Sequence, residues 1–305
     1  MLSIFALPKP FSGHNGVIQL NAIQSWIRLR PACEIILLGD EEGTAEIAAR
    51  FGVRHIAHVE RNEHGTPLVG ALFSAAQEAA SHKIVCYVNA DIILMSDFLP
   101  AISLIQGRPF LCVGRRWDLD LKEPLDFGDP AWEKRLRARL VREGRLHPVS
   151  GLDYFVFPRG TYRDIPPFAI GRTAWDNWLL YKARSLGLTA IDATRAITAV
   201  HQNHGYTHYN VPGDEANGVW KGVEARRNLE LLGGSQYSFH LWDVTHVLTA
   251  DGLKPARSMR HLLWRVLRFP EMHPGVMGVG GIVRGLRSIA FRIAALRRLY
   301  VRLIR

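Results

Sequence analysis

Residues Ile84 to Leu94 read IVCYVNADIIL. The first five are apolar and β-rich, the composition of a strand buried on both faces of a parallel sheet. The run ends in Asn89-Ala90-Asp91, a carboxamide and a carboxylate two residues apart. That spacing sends both side chains to the same side of an extended backbone. They converge beyond the strand's carboxyl end, where open α/β sheets bind their ligands. A hard carboxylate at that place suits a divalent cation carrying phosphates. The plainer alternative is that Asp91 only turns the chain into its next segment.

Upstream of this stretch the pattern alternates regularly. Ser3 to Leu7 is a short apolar strand closed by Pro8-Lys9-Pro10. Gly13 to Arg28 has helical periodicity, with Val17, Leu20, Ile23 and Ile27 on one face. Cys33 to Leu38 is a second buried strand, ending in Gly39-Asp40. Thr44 to Phe51 is a short helix stopped by Gly52, and Val53 to Val59 a third strand. A polar loop containing Arg61 leads to an Ala-rich helix, Pro67 to Ala80, which returns to Ile84. Right-handed crossovers turn such a β-α-β-α-β-α-β run into a mostly parallel sheet with helices on both faces.

Downstream the regularity lapses. Asp97 to Ile105 is helical and Pro109 to Arg115 a strand. Trp117 to Leu146 reads as a long insertion with a charged amphipathic helix near Pro130 to Arg142. Gly151 to Phe157 is a strand carrying Asp153, a carboxylate in an apolar run that needs a partner if buried. Trp175 to Leu186 is a helix ended by Gly187, followed by a short strand, Leu188 to Ile191. Ile197 to Val200 leads into His201-Gln202-Asn203-His204, and Gly205 to Gly234 reads as irregular, mobile surface chain.

Composition sets the outer bounds. With 48% hydrophobic residues in 305, the chain has ample material for a core. Its three cysteines lie in or beside apolar runs, without metal or redox spacing, as in a reducing compartment. Met1 to Phe11 lacks a basic start and a long apolar run, so no secretory signal is expected, nor any membrane span. The net charge of +10 is concentrated at one end. Residues 257–305 hold eleven Arg, no Lys and one acidic residue, Glu271, leaving residues 1–256 neutral. A nucleic-acid-binding core is thereby disfavoured, and the tail has a separate task.

From about residue 2 to 210 the order of elements and four spaced signatures resemble the GT-A glycosyltransferases of the broad family 2 type. The signatures are a strand ending in Asp40, the Asn89-Ala90-Asp91 turn, Trp175-Asp176-Asn177-Trp178 opening a helix, and His201 ending a late strand. The resemblance implies an α/β, Rossmann-like fold and transfer of a sugar from a nucleotide-diphosphate donor to a glycan or lipid-linked acceptor. Inversion is the expected outcome and polysaccharide assembly the expected setting. It places Asp40 at the nucleoside, Asn89 and Asp91 at the position of an Asp-x-Asp motif, His201 as a further metal ligand and Asp176 as general base. Two departures stand out. The first Asp of Asp-x-Asp is Asn89, and a Glu-Asp pair is replaced by Trp175-Asp176.

The chemistry accounts for these residue types. A departing nucleoside diphosphate needs a Lewis acid, here Mn²⁺ or Mg²⁺ held by Asp91 with Asn89 and His201; His204 is a rival ligand. Imidazole tilts the choice toward Mn²⁺. Pro8, Lys9 and Arg61 are expected at the donor, the two cations on its phosphates, with Arg115 and Arg116 as further candidates. Asp176 would take the acceptor's proton; a helix start lowers its pKa and two flanking tryptophans raise it. Asp153, Trp175 and Trp178 are expected to bind the acceptor, one indole stacking on a sugar.

Residues 1–250 are thus expected to form the transferase domain and 251–305 a basic amphipathic tail. In the tail, Ile282, Leu286, Ile289, Ile293, Leu296, Tyr300 and Leu303 make one helical stripe opposite Arg side chains. Arg257 to Phe269 repeats the theme. Such a stripe suits an anionic membrane surface, and the expectation is a cytoplasmic enzyme peripheral on the inner face of the plasma membrane. Two rivals remain. A sugar nucleotidyltransferase would need a Gly-rich basic first loop, where this chain has Pro8-Lys9-Pro10-Phe11. A catalytically inactive binding subunit is favoured by Asn89.

Overall fold

A computed structural model describes residues 1–105, 107–204 and 221–273. The chain divides into two units, Met1–Pro255 and Ala256–Arg305. The first unit opens with β1 (Leu2–Ala6), α1 (Gly13–Ile27), β2 (Glu34–Leu38), α2 (Thr44–Phe51), β3 (Arg54–Ile56), α3 (Val69–Ala79) and β4 (Ile84–Val88). This is the alternation expected. It continues through β5 (Ile92–Leu94), α4 (Phe98–Ser103), β6 (Phe110–Val113), β7 (Arg116–Leu119), α5 (Trp132–Glu143), β8 (Arg145–Leu146) and β9 (Tyr154–Pro158). Then come α6 (Trp175–Ser185), β10 (Thr189–Asp192), β11 (Ala199–Gln202), α7 (Val223–Leu232), β12 (His246–Thr249) and β13 (Gly252–Pro255).

Nine strands form the main sheet in the order β13-β12-β10-β6-β9-β4-β1-β2-β3. β3, β2, β1 and β4 run parallel, as do β6, β10 and β12. β9 lies antiparallel between β4 and β6, and β13 closes one edge as a hairpin. The fold class is therefore α/β with a mostly parallel sheet.

Strand alternation puts a different core on each face of this sheet. Leu2, Ile4, Ala6, Cys86 and Val88 share a buried cluster with Ala22, Ile23 and Trp26 of α1. Phe5 and Tyr87 point the other way, into an aromatic layer with Phe73 of α3, Phe155 and Phe157 of β9 and Trp175 of α6. The Phe5–Phe73 centroids are 5.2 Å apart, edge to face. Such pairs contribute about 0.5–1.5 kcal/mol beyond their burial.

A second sheet, ordered β5-β11-β7-β8, builds the site. After Asp91 the chain leaves the main sheet and enters β5, which pairs antiparallel with β11 so that His201 stands opposite Ile92. β11 also pairs in parallel with β7, setting His201 level with Asp118. Residues 117–146, read as an insertion, thus supply most of β7, the helix α5 and the strand β8. The missed strand, Arg-Trp-Asp-Leu, is too polar to read as a buried strand; it is one only because β11 and β8 pair with it on either side.

Two other expectations change. Residues 221–234 are not irregular: α7 places Ala225, Asn228 and Leu232 on one buried face and stops at Gly233, which adopts φ 78°. Residues 205–220 and the stripe from Ile282 to Leu303 lie outside the described residues. In the second unit, α8 (Met259–Met272) is capped by the Ser258 hydroxyl, which accepts from the backbone N–H of His261.

Candidate active site

Asp91, His201 and His204 converge just beyond the carboxyl end of β4, their candidate ligand atoms all within 4.8 Å of one another. Asp91 Oδ2 lies 3.0 Å from His204 Nε2 and 3.7 Å from His201 Nε2. Its other oxygen, Oδ1, is buried with no hydrogen-bond partner among the described residues. A buried carboxylate oxygen left without a donor is costly unless a ligand completes it. Burial opposes ionisation of Asp91, but His201, His204 and Lys9 outweigh it and hold the carboxyl well below the usual range. Burial also disfavours the charged form of His201, against which Asp91 and Asp118 raise its pKa. His204, the rival ligand, is thus as well placed as His201.

Asn89 faces a different neighbour. Its Nδ2 donates to Asp153 Oδ1 at 2.8 Å, and its Oδ1 accepts from the Tyr87 hydroxyl at 2.7 Å. The β4–β9 pairing imposes this, since the Asn89 backbone N–H also donates to the Asp153 carbonyl. Asp153, 5% exposed, receives a second donor on Oδ1, Arg116 Nη1 at 2.6 Å, while its Oδ2 is buried without a partner among the described residues. Arg116 continues through Nε to Asp118 Oδ1 at 2.9 Å. Asp118 in turn meets His147 Nδ1 at 2.7 Å and His201 Nδ1 at 3.4 Å. A chain of charges therefore runs from Asp153 through Arg116, Asp118 and His201 to Asp91.

Asp176 opens α6 beside this chain. The preceding Ala174 has φ 87°, the sole positive φ outside glycine among the described residues. That conformation costs about 1–3 kcal/mol and marks where the chain is forced into place. Of the two opposed influences on the Asp176 carboxyl, burial wins and pushes it up to about 7. The backbone N–H groups of Asn177 and Asp176 pull against it, and the Asp153 charge adds to the rise.

The remaining expected residues fall into separate groups. Lys9 follows β1 and lies near enough to Asp91 to feel its charge, although burial lowers the ammonium's pKa. Pro8 shares that loop. Arg61 is not open-handed: Nη2 reaches Asp40 Oδ1 at 2.5 Å and Glu41 Oε1 at 2.8 Å, and Nη1 donates to the Gly65 carbonyl. Asp40 is exposed just after β2 and paired with Arg61. Trp175 and Trp178 are only 6% and 8% exposed. Trp175 packs edge-on against Tyr87 and Trp178 against Phe168, so both indoles are chiefly wall material. Arg115 donates to the carbonyls of Leu146 and His147.

A cleft of about 520 Å³ adjoins the Asp–His–His group, lined by His14, Asp120, Lys122, Asn203 and His204. Asp118 and His147 escaped the sequence reading. Asp118 carried a signal, since its two-residue spacing from Arg116 puts both on one side of a strand; His147 meets it only through the β7–β8 pairing.

No protein-family model matches the sequence, and no curated protein matches it. Among solved structures, the chain is similar to M. tuberculosis glucosyl-3-phosphoglycerate synthase, at 19% identity over 78% of this chain and 80% of that one, TM-score 0.46. It is similar to the Pyrobaculum calidifontis mannosyltransferase PcManGT in complex with GDP-Man and Mn²⁺, at 15% identity, TM-score 0.42, over 66% of this chain and 56% of that one. It is also similar to S. aureus TarS at 15% identity, TM-score 0.45, over 76% of this chain but 42% of that one. The described architecture is the α/β type with a mostly parallel sheet that the sequence analysis expects. Neither donor nor acceptor of this chain follows from these likenesses.

Proposed function

We propose that the protein is a metal-dependent glycosyltransferase using a nucleotide-diphosphate sugar. The observation that carries this is the convergence of Asp91, His201 and His204 around a buried, unpartnered carboxylate oxygen at the ligand-binding end of a parallel sheet. One carboxylate and two imidazoles fit a divalent cation that accepts nitrogen ligands, Mn²⁺ better than Mg²⁺. Such a cation, when bound, offsets the negative charge of the departing diphosphate.

The chain's own residues supply the rest. Lys9, near enough to Asp91 to interact with its charge, places a cation toward the phosphates. Asp40, steadied by Arg61, faces the nucleoside. Asp176 takes the proton of the acceptor hydroxyl as that oxygen attacks the sugar opposite the leaving group, giving inversion. A carboxyl near 7 is matched to this task at neutral pH, where general-base assistance is worth roughly 10²–10⁴-fold. Asp153, with a free oxygen lobe, holds a hydroxyl of the glycan or lipid-linked acceptor. Trp175 and Trp178 shape the wall behind it. The unit Met1–Pro255, which includes the edge strand β13, forms this catalytic body, and the chain from Ala256 onward its attachment.

For the attachment, α8 exposes Met259, Leu262, Leu263 and Val266, spaced as one helical stripe, with Arg257 and Arg260 beside it. That supports contact with an anionic membrane surface. Cosedimentation with phosphatidylglycerol vesicles but not with phosphatidylcholine vesicles tests it. Equal recovery from both overturns it.

The primary test is calorimetric titration of UDP and GDP, with and without Mn²⁺, into wild type and Asp91→Ala. Metal-dependent binding lost in the variant supports the transferase site. A second reading, a binding subunit without activity, is favoured by the engagement of Asn89 with Asp153. Sugar transfer or donor hydrolysis lost in Asp176→Asn, with donor binding retained, eliminates it.

A further inference from the structure

We infer that Asp118 is a positioning residue that prepares His201 for the cation; this rests on the proposed metal site. His201 Nε2 faces Asp91, while Nδ1 faces two oxygens, Asp118 Oδ1 at 3.4 Å and Asn203 Oδ1 at 3.3 Å. The Asn203 amide is oriented by its own donation to Asp120 at 2.7 Å, which turns its oxygen toward the imidazole. Two acceptors at Nδ1 require that nitrogen to carry the proton. The lone pair is then on Nε2, the nitrogen beside Asp91.

Of the two acceptors, Asp118 bears the charge and is the more firmly held. Arg116 Nε grips its Oδ1 at 2.9 Å and His147 Nδ1 its Oδ2 at 2.7 Å. A carboxylate behind a ligating imidazole makes the ring more basic and restricts its rotation. The β7–β11 register keeps the two residues level, so the alignment is built into the small sheet. Arg116 also binds Asp153, so the same guanidinium orients the carboxylate behind the cation and the one expected at the acceptor. Neither Asp118 nor His147 reaches the reacting atoms; they act through His201.

The test uses the full chain and Mn²⁺ alone. Calorimetry and the ¹⁴N modulation of the bound Mn²⁺ electron spin echo are recorded for wild type, Asp118→Ala, Asp118→Asn, Asn203→Ala and Asp91→Ala. Asp118→Ala is expected to weaken Mn²⁺ binding about 10–100-fold and to diminish the imidazole nitrogen signal. Asp118→Asn, which keeps an acceptor oxygen and the shape, is expected to recover part of both. Asn203→Ala is expected to stay within about threefold of wild type, because the charged acceptor remains. If Asp91→Ala abolishes binding while Asp118→Ala leaves affinity and nitrogen signal unchanged, the role of Asp118 is overturned and the metal site stands. If wild type binds no Mn²⁺, or Asp91→Ala binds it equally, the metal site fails and the role of Asp118 with it. Should Asp118→Ala not fold, the isosteric Asp118→Asn decides: an unchanged affinity and nitrogen signal, with Asn203→Ala causing the larger loss, assigns the role to Asn203.

Discussion

Asn89 donates its carboxamide hydrogen to Asp153 across 2.8 Å, so the first position of the Asn-Ala-Asp turn serves a buried carboxylate. An aspartate there would have no hydrogen to give. It would instead set a second negative charge against Asp153 Oδ1, which already takes Arg116 as its other donor.

Asn89→Asp is therefore expected to destabilise the protein by about 1–3 kcal/mol at pH 7, through a lost buried hydrogen bond and like-charge contact. It is expected to leave Mn²⁺ affinity within about threefold of wild type, because its side chain faces β9 and not the histidines. Urea unfolding and calorimetry check the pair. A tenfold gain in Mn²⁺ affinity at unchanged stability would contradict this account.

Asp176 makes stability and activity respond to pH in opposite senses. Its folded-state carboxyl lies at about 7, against 3.8 for an ordinary aspartate. Between these values the folded protein keeps a proton that the unfolded chain has lost, so its contribution to stability is lost as pH rises through 7. Asp176→Asn cannot ionise. Above pH 8 it should be the more stable protein by about 1–3 kcal/mol, and below pH 4 the two should converge. Activity should run the other way, with wild-type kcat/KM rising to a plateau above about 7 and Asp176→Asn falling roughly 10²–10⁴-fold. Thermal melts across pH and a pH–rate profile measure both limbs.

The donor set predicts the cation. Binding of UDP or GDP should be stronger with Mn²⁺ than with Mg²⁺ by at least about tenfold, since Mg²⁺ prefers oxygen ligands and two of three here are imidazoles. His204→Ala should weaken the Mn²⁺ effect as much as His201→Ala does, because both rings reach Asp91. Titrations with each metal distinguish the cases.

Arg116 joins two carboxylates from a buried position. Arg116→Ala leaves both without that partner and should cost about 3–5 kcal/mol. Arg116→Lys should recover only part of it, because an ammonium lacks the planar fork that serves Asp118 and Asp153 together. Equilibrium unfolding of the two variants tests this, and equal stabilities would refute the bridging role.

Much of the fold was written locally. The apolar runs of β1, β2 and β4, the periodicity of α1 and the stop at Gly52 each lie within a few residues, so their strands and helices could be read directly. The same holds for Asp91 at a strand's carboxyl end and Asp176 at a helix start. Other features depended on partners distant in sequence. β7 and β8 are short and polar, and only pairing, of β7 with β11 and of β8 with β7, makes them strands.

What the amino-acid order determined by itself was the α/β alternation, the placing of Asp91 and the separation of charge into the tail, because each follows from local pattern and composition. Tertiary structure alone decided that Asn89 turns to Asp153, that Arg61 is bound by Asp40 and Glu41, and that Asp118 stands behind His201. It also settled the contest at Asp176, where burial overcame the helix start. Strand register and enclosure from water set these outcomes, and both arise only when segments far apart in the chain meet.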